Sequence, residues 1–99
     1  MSSGQRNVRT GEFKKMLARL PPHIQQAAQE AFRFFLANPH HPILGNHQLT
    51  DTRKGRHRKA SRAVSVTRRY RAIYVSDGET NVWYWIGSHE DYNDFVGKT

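Results

Sequence analysis

The stretch from Ala63 to His89 constrains this chain more than any other. Val64 and Val66 alternate with Ser65 and Thr67, the period of a half-buried strand. Tyr70 to Val75 reads as a second strand, and Asp77-Gly78 has the chemistry of a hairpin turn. Asn81 to Ile86 reads as a third, with Val82, Tyr84 and Ile86 expected on one face and Trp83 and Trp85 on the other. Apolar side chains on both faces require cover on both, so the sheet needs a layer on each side.

Two amphipathic segments precede it. Phe13, Met16, Leu17 and Leu20 recur at i, i+3, i+4 and i+7, one face of a helix. Pro21-Pro22 ends that helix and opens the next, because proline suits a first helical turn. Ile24, Ala27, Ala28, Ala31, Phe32, Phe35 and Leu36 form a second stripe, which Asn38-Pro39 ends. The short joint makes the two helices a hairpin, expected to cover one sheet face. Ser88 and Asp91 form a capping-box-like start, and Tyr92, Phe95 and Val96 then recur at helical spacing. This short last helix is expected over part of the other face. Residues 1–10 are polar, and Val8 allows only a short strand there. Residues 39–62 read as irregular, anchored by Ile43, Leu44 and Leu49, with a strand start at His47 and a turn at Lys54-Gly55-Arg56. The expectation is one α+β domain over 1–99: an N-terminal helical hairpin packed on a small twisted antiparallel sheet, then a short C-terminal helix.

The 99 residues carry a net charge of +8. Nine of the sixteen Lys and Arg lie between Asp51 and Asp77, where no acid occurs. A cationic run of this kind that leads straight into strands suits a polyanion such as nucleic acid, or an acidic protein segment. The chain has no cysteine, which excludes disulfides and thiolate metal sites. No apolar run approaches the ~18 residues of a membrane helix. The first residues lack the apolar core of a signal peptide, so a cytoplasmic location is expected. His40-His41 lacks metal-ligand spacing, so neither a metal nor another cofactor is expected.

Two residues stand out for chemistry. Arg71 lies within a strand, on the face of Ile73 and Val75, where a partly desolvated guanidinium binds phosphate strongly. His89 follows the helix cap Ser88 and can exchange a proton near neutral pH.

Four segments in order resemble the RelE/ParE superfamily of bacterial toxins: 20–25 (LPPHIQ), 38–44 (NPHHPIL), 69–74 (RYRAIY) and 85–92 (WIGSHEDY). They span nearly the whole chain, residues 11–97. The resemblance implies a toxin restrained by a cognate antitoxin. In RNA-cleaving members it also implies a metal-independent endoribonuclease acting on mRNA, generally on the ribosome. Arg71 then falls on the arginine that contacts the scissile phosphate, with Arg69 assisting. His89 falls on the acid or phosphate ligand after the last strand. Tyr92 falls near an aromatic that stacks on a base. His47, Lys54 and Lys59 match the assisting loop residues, and Arg56 and Arg58 extend that basic loop toward substrate. The alternatives are a gyrase-inhibiting toxin without nuclease activity and a non-catalytic basic RNA-binding domain.

Overall fold

The computed structural model describes residues 6–98. A short strand β1 (Arg6–Arg9) leads into α1 (Gly11–Ala18), whose first turn is capped by Thr10 Oγ1 accepting from the Phe13 N–H at 3.1 Å. Helix α2 (Pro22–Ala37) follows, then a 3₁₀ turn at Pro42–Leu44. The sheet adds β2 (His47–Gln48), β3 (Ser61–Thr67), β4 (Tyr70–Asp77) and β5 (Thr80–Ser88), and α3 (His89–Val96) ends the fold. Strand order is β1-β5-β4-β3-β2. All pairings are antiparallel except β1 with β5, which is parallel.

The α+β class, the hairpin on one face and α3 on the other are as the sequence suggests. The parallel β1 was not foreseen. Its alternation is too polar to signal a strand, and side chains reinforce its backbone ladder with β5 at the sheet edge. Asn7 Oδ1 accepts from the Trp83 indole N–H at 2.9 Å and from the Asn81 amide at 3.2 Å.

The faces of β5 also differ from simple alternation. Ile73 pairs with Trp85 and Tyr74 with Trp83, so Tyr84 is an extra residue, a β-bulge. The bulge puts Trp83 and Ile86 on the hairpin side with Phe13, Phe35, Val64 and Ala72. Tyr84 and Trp85 face α3 with Ala63, Ile73, Tyr92 and Val96. The predicted pairing of the two tryptophans on one face, opposite Tyr84 and Ile86, is therefore corrected.

Helix α1 lies over β5 and α2 over β3, and the two helices touch each other little. Between them opens an apolar cleft of about 340 Å³ with Leu17, Ala28, Phe35 and Val66 among its walls. The buried stripe of α2 is narrower than expected. Ile24 and Phe35 are buried, but Phe32 is 37% exposed and Leu36 59%. No helix among the described residues is long and apolar enough to cross a membrane.

Candidate functional site

Arg71 is placed by the register of three strands. It pairs with Ser65 on β3 and Gly87 on β5, and it shares the α3 side of β4 with Ile73. The turn before β4 holds its side chain. Nη1 donates to the carbonyls of Thr67 at 2.8 Å, Arg68 at 3.2 Å and Tyr70 at 3.1 Å. Among the described residues its Nε and Nη2 have no hydrogen-bond partner, which leaves them as free donors. Arg69 lies in that same turn, exposed, and not on a strand.

Helix α3 starts beside the turn. The Ser88 Oγ accepts from the Asp91 N–H at 3.1 Å, and the His89 N–H donates to the Arg69 carbonyl at 2.6 Å. This second bond ties the helix start to the arginine turn. The exposed His89 ring lies near-parallel to Tyr92 at 6.3 Å between centroids. The Tyr92 hydroxyl is buried and has no hydrogen-bond partner among the described residues. Burial pushes its phenol up from 10.0, while the nearby Arg71 guanidinium pulls it down. Arg71, Arg69, His89 and the Tyr92 hydroxyl therefore form one cluster at the N-terminus of α3.

Tyr92 differs from its expected role. It is 3% exposed and lies against Trp85 in the layer beneath α3, so its ring is closed to an incoming base. The helical spacing that flagged it as amphipathic is the spacing that buries it. What it offers the site is a hydroxyl beside Arg71.

The basic loop goes elsewhere. Residues 49–60 form a strap across the C-terminal end of α3. Thr52 Oγ1 donates to the Val96 carbonyl at 3.2 Å, and the Arg56 N–H donates to the Phe95 carbonyl at 2.7 Å. Arg56 also pairs with Asp94 at 2.8 Å and lies 5.6 Å from the Phe95 ring centroid. The pair is solvent-exposed, so a phosphate at Arg56 would compete with the Asp94 carboxylate. Lys54 and Lys59 are exposed, with no side-chain partner among the described residues. Arg58 stacks on Tyr84, 4.6 Å from the ring centroid.

His47 lies on edge strand β2, paired with Ala63, and its Nδ1 is 2.9 Å from the Gly45 carbonyl. Two strand spacings and two residues along the strand separate it from Arg71, about 12 Å. The structure thus brings together Arg71, Arg69, His89 and Tyr92, sets Arg56 and Arg58 at the other end of α3, and leaves His47 apart.

Sequence reading passed over His57. Its side chain is 1% exposed, 3.7 Å from the Asp51 carboxylate, and neither ring nitrogen has a hydrogen-bond partner among the described residues. A histidine within a cationic run reads as solvated, and only the strap's path buries it. Among the described residues, no cluster of three or more His, Asp and Glu could hold a metal ion.

This geometry has known counterparts. The fold matches YafQ from Escherichia coli at 14% identity and a TM-score of 0.61, covering 89% of this chain and 97% of that one. It matches the toxin fold in the RelB–RelE antitoxin–toxin complex from Methanococcus jannaschii at 13% identity and 0.64, covering 89% and 96%. A third match is the RelE–RelB complex from Pyrococcus horikoshii, at 15% and 0.65, covering 86% and 94%. No curated protein sequence matches significantly. The ParE-like toxin domain family matches residues 22–94, from the start of α2 into α3. The chain therefore belongs to the ParE-like toxin domain family, within the RelE/ParE superfamily.

Proposed function

We propose that this toxin is a metal-independent endoribonuclease that cleaves mRNA on the ribosome, in the cytoplasm, and that a cognate antitoxin restrains it. One observation carries the reading: a strand arginine with free N–H donors, an exposed histidine and a buried hydroxyl converge at the N-terminus of α3. In this reading the 2′-hydroxyl of the RNA attacks the adjacent phosphorus, losing its proton to solvent or to a base not yet assigned. Arg71 binds the non-bridging oxygens, where negative charge grows as the fifth bond forms. Its Nη1 bonds to the turn carbonyls fix the guanidinium beforehand, so little reorganisation is needed during reaction. Arg69 adds positive potential at the turn. Protonated His89 delivers a proton to the departing 5′-oxygen, which leaves as a hydroxyl. The products are a 2′,3′-cyclic phosphate and a 5′-hydroxyl end. DNA lacks the attacking group and is spared. The M. jannaschii structure is described as an antitoxin–toxin complex and the P. horikoshii one as a RelE–RelB complex, which supports the antitoxin partner. The cationic strap and turn offer a docking surface to an acidic antitoxin segment.

The test is end-mapping of mRNA in a translating extract with added toxin. Wild type should leave cyclic or 3′-phosphate ends, a 2′-deoxy nucleotide at the cut should block cleavage, and Arg71→Ala or His89→Ala should abolish both cleavage and growth arrest while remaining folded. The match to a ParE-like family favours a second reading, inhibition of gyrase without RNA chemistry. Intact mRNA together with blocked supercoiling would reject the nuclease and establish that alternative.

A further inference from the structure

Three hydrogen bonds around Arg58 close a circuit. The Arg58 N–H donates to Tyr84 Oη at 2.8 Å, and Ser61 Oγ donates to the Arg58 carbonyl at 2.7 Å. The two hydroxyl oxygens lie 2.6 Å apart. Each hydroxyl has one proton. With the Ser61 proton committed to the carbonyl, Tyr84 donates to Ser61. Ser61 is 0% exposed and Tyr84 8%, so water does not compete for these bonds. Within the turn, Ala60 holds φ at 61°, a left-handed conformation that non-glycine residues avoid. The circuit keeps the turn there against its preference, and such retained strain clusters at functional positions.

The turn presents one group. The Arg58 guanidinium sits over the Tyr84 ring, its carbon 4.6 Å from the ring centroid. Stacking covers one face of the guanidinium and leaves its N–H edges toward solvent, the geometry that suits a phosphate. Arg58 differs here from its neighbours. Arg56 is paired with Asp94, and Arg62 Nε donates to Asn46 at 2.8 Å. Among the described residues no carboxylate pairs with Arg58.

We infer that Arg58 is a second phosphate-binding subsite, for a phosphodiester of single-stranded RNA, with Tyr84 and Ser61 as its positioning residues. This subsite rests on the reading of RNA as substrate. Tyr84 and Arg71 lie on the same sheet face, and the β4–β5 register separates them by two to three residues, about 7–10 Å along the strand. An RNA strand held at Arg71 and running on toward the C-terminal end of α3 presents a further phosphate to Arg58. The contact fixes the position of the strand without reading its bases.

Fluorescence anisotropy tests it, using a labelled oligoribonucleotide with a 2′-deoxy nucleotide at the cut position and a series of salt concentrations. Arg58→Ala should weaken binding about tenfold and shallow the salt slope by about one phosphate contact. Arg58→Lys should keep the slope but still lose several-fold, because an ammonium neither stacks flat nor presents a fork. Tyr84→Phe keeps the ring, loses the hydroxyl, and should also lose several-fold. On cleavable RNA these losses should fall on KM, with kcat little changed. Arg58 is exposed, so its two variants carry the test even if Tyr84→Phe fails to fold. Wild-type affinity and slope in Arg58→Ala would overturn the subsite and leave the RNA reading standing. Failure of the wild-type protein to bind the oligoribonucleotide at low salt would overturn the subsite, and intact mRNA in the translating extract would overturn the RNA reading with it.

Discussion

Phe35→Ala should cost about 4–5 kcal/mol, the upper part of the range for such truncations. Phe35 is 3% exposed, and its ring meets Trp83 at 5.0 Å and Tyr74 at 5.2 Å, both edge-on at 79°. Removing the buried ring forfeits about 2–3 kcal/mol of transfer free energy. Two edge-to-face contacts add about 0.5–1.5 kcal/mol each. The void would also open into the apolar cleft that Phe35 already lines, so the walls have little to collapse onto. Two substitutions on the same helix calibrate the estimate. Phe32 is 37% exposed and should cost about 1–2 kcal/mol, and Leu36, at 59%, less than about 1 kcal/mol. Urea unfolding followed by circular dichroism measures all three, with the m-value as a check that the unfolded state is unchanged. The Phe35→Ala midpoint should fall by about 4–8 °C per kcal/mol in thermal melts. Equal costs for Phe35→Ala and Leu36→Ala would refute the assignment of the buried stripe.

Two further outcomes follow from α3. The phenol of Tyr92 is raised above 10.0 in the folded state, so its contribution to stability is complete below pH 10 and is lost as pH rises through the folded-state value. Tyr92→Phe removes a buried hydroxyl with no partner, so it should leave stability at pH 8 unchanged or higher and flatten the alkaline decline in urea midpoint; a large loss at pH 8 would refute this. Gly97 ends α3 at φ 82°, and a Cβ there would lie 2.6 Å from Thr52 Oγ1 and 2.7 Å from the Gly55 nitrogen. Gly97→Ala should therefore displace the strap and cost more than about 1 kcal/mol, seen as lost amide protection at Gly55 and Arg56; unchanged protection would contradict it.

The layers were legible because period and burial agree. Phe13 and Phe35 recur at helical spacing and are buried, and the Ser88 cap starts α3 as read. The sequence misled where a feature depends on pairing across the sheet. Nothing in 81–86 marks Tyr84 as an extra residue, because a bulge shows only against its partner strand. β1 is held by its backbone ladder with β5 and by Asn7 side-chain bonds to Trp83 and Asn81, which leave no apolar alternation to read. The positions of Arg71 within β4 and of His89 at the start of α3 were legible because strand and cap patterns place them. Tyr92 was misjudged because one spacing serves both a packed ring and an exposed one. The strap's pairing of Arg56 with Asp94 and burial of His57 depend on contacts between residues far apart in sequence.

The bulge yields a last prediction. Across it the face order is Trp83 toward the hairpin, Tyr84 and Trp85 toward α3, and Ile86 toward the hairpin. Deleting Tyr84 would leave Trp83, Trp85 and Ile86 alternating regularly, with Ile73–Trp85 and Tyr74–Trp83 still paired. Both cores would keep their side chains on the right faces. The loss would be confined to one ring, to the circuit with Ser61 and Arg58, and to the contact with Phe95 at 6.4 Å. That should cost about 2–4 kcal/mol, less than the 5–15 kcal/mol a domain commonly has in hand. The deletion variant should therefore fold. Hydrogen exchange should show β4 and β5 amides still protected and the Arg58 amide, which loses its acceptor, exchanging freely. Ordinary substitution cannot make this separation, because a smaller side chain would keep the bulge. If deletion unfolds the whole chain, Tyr84 is an integral part of the core and not an insertion that serves the strap. If the Arg58 amide stays protected, the strap is held by its bonds to α3 and the circuit contributes little to its position.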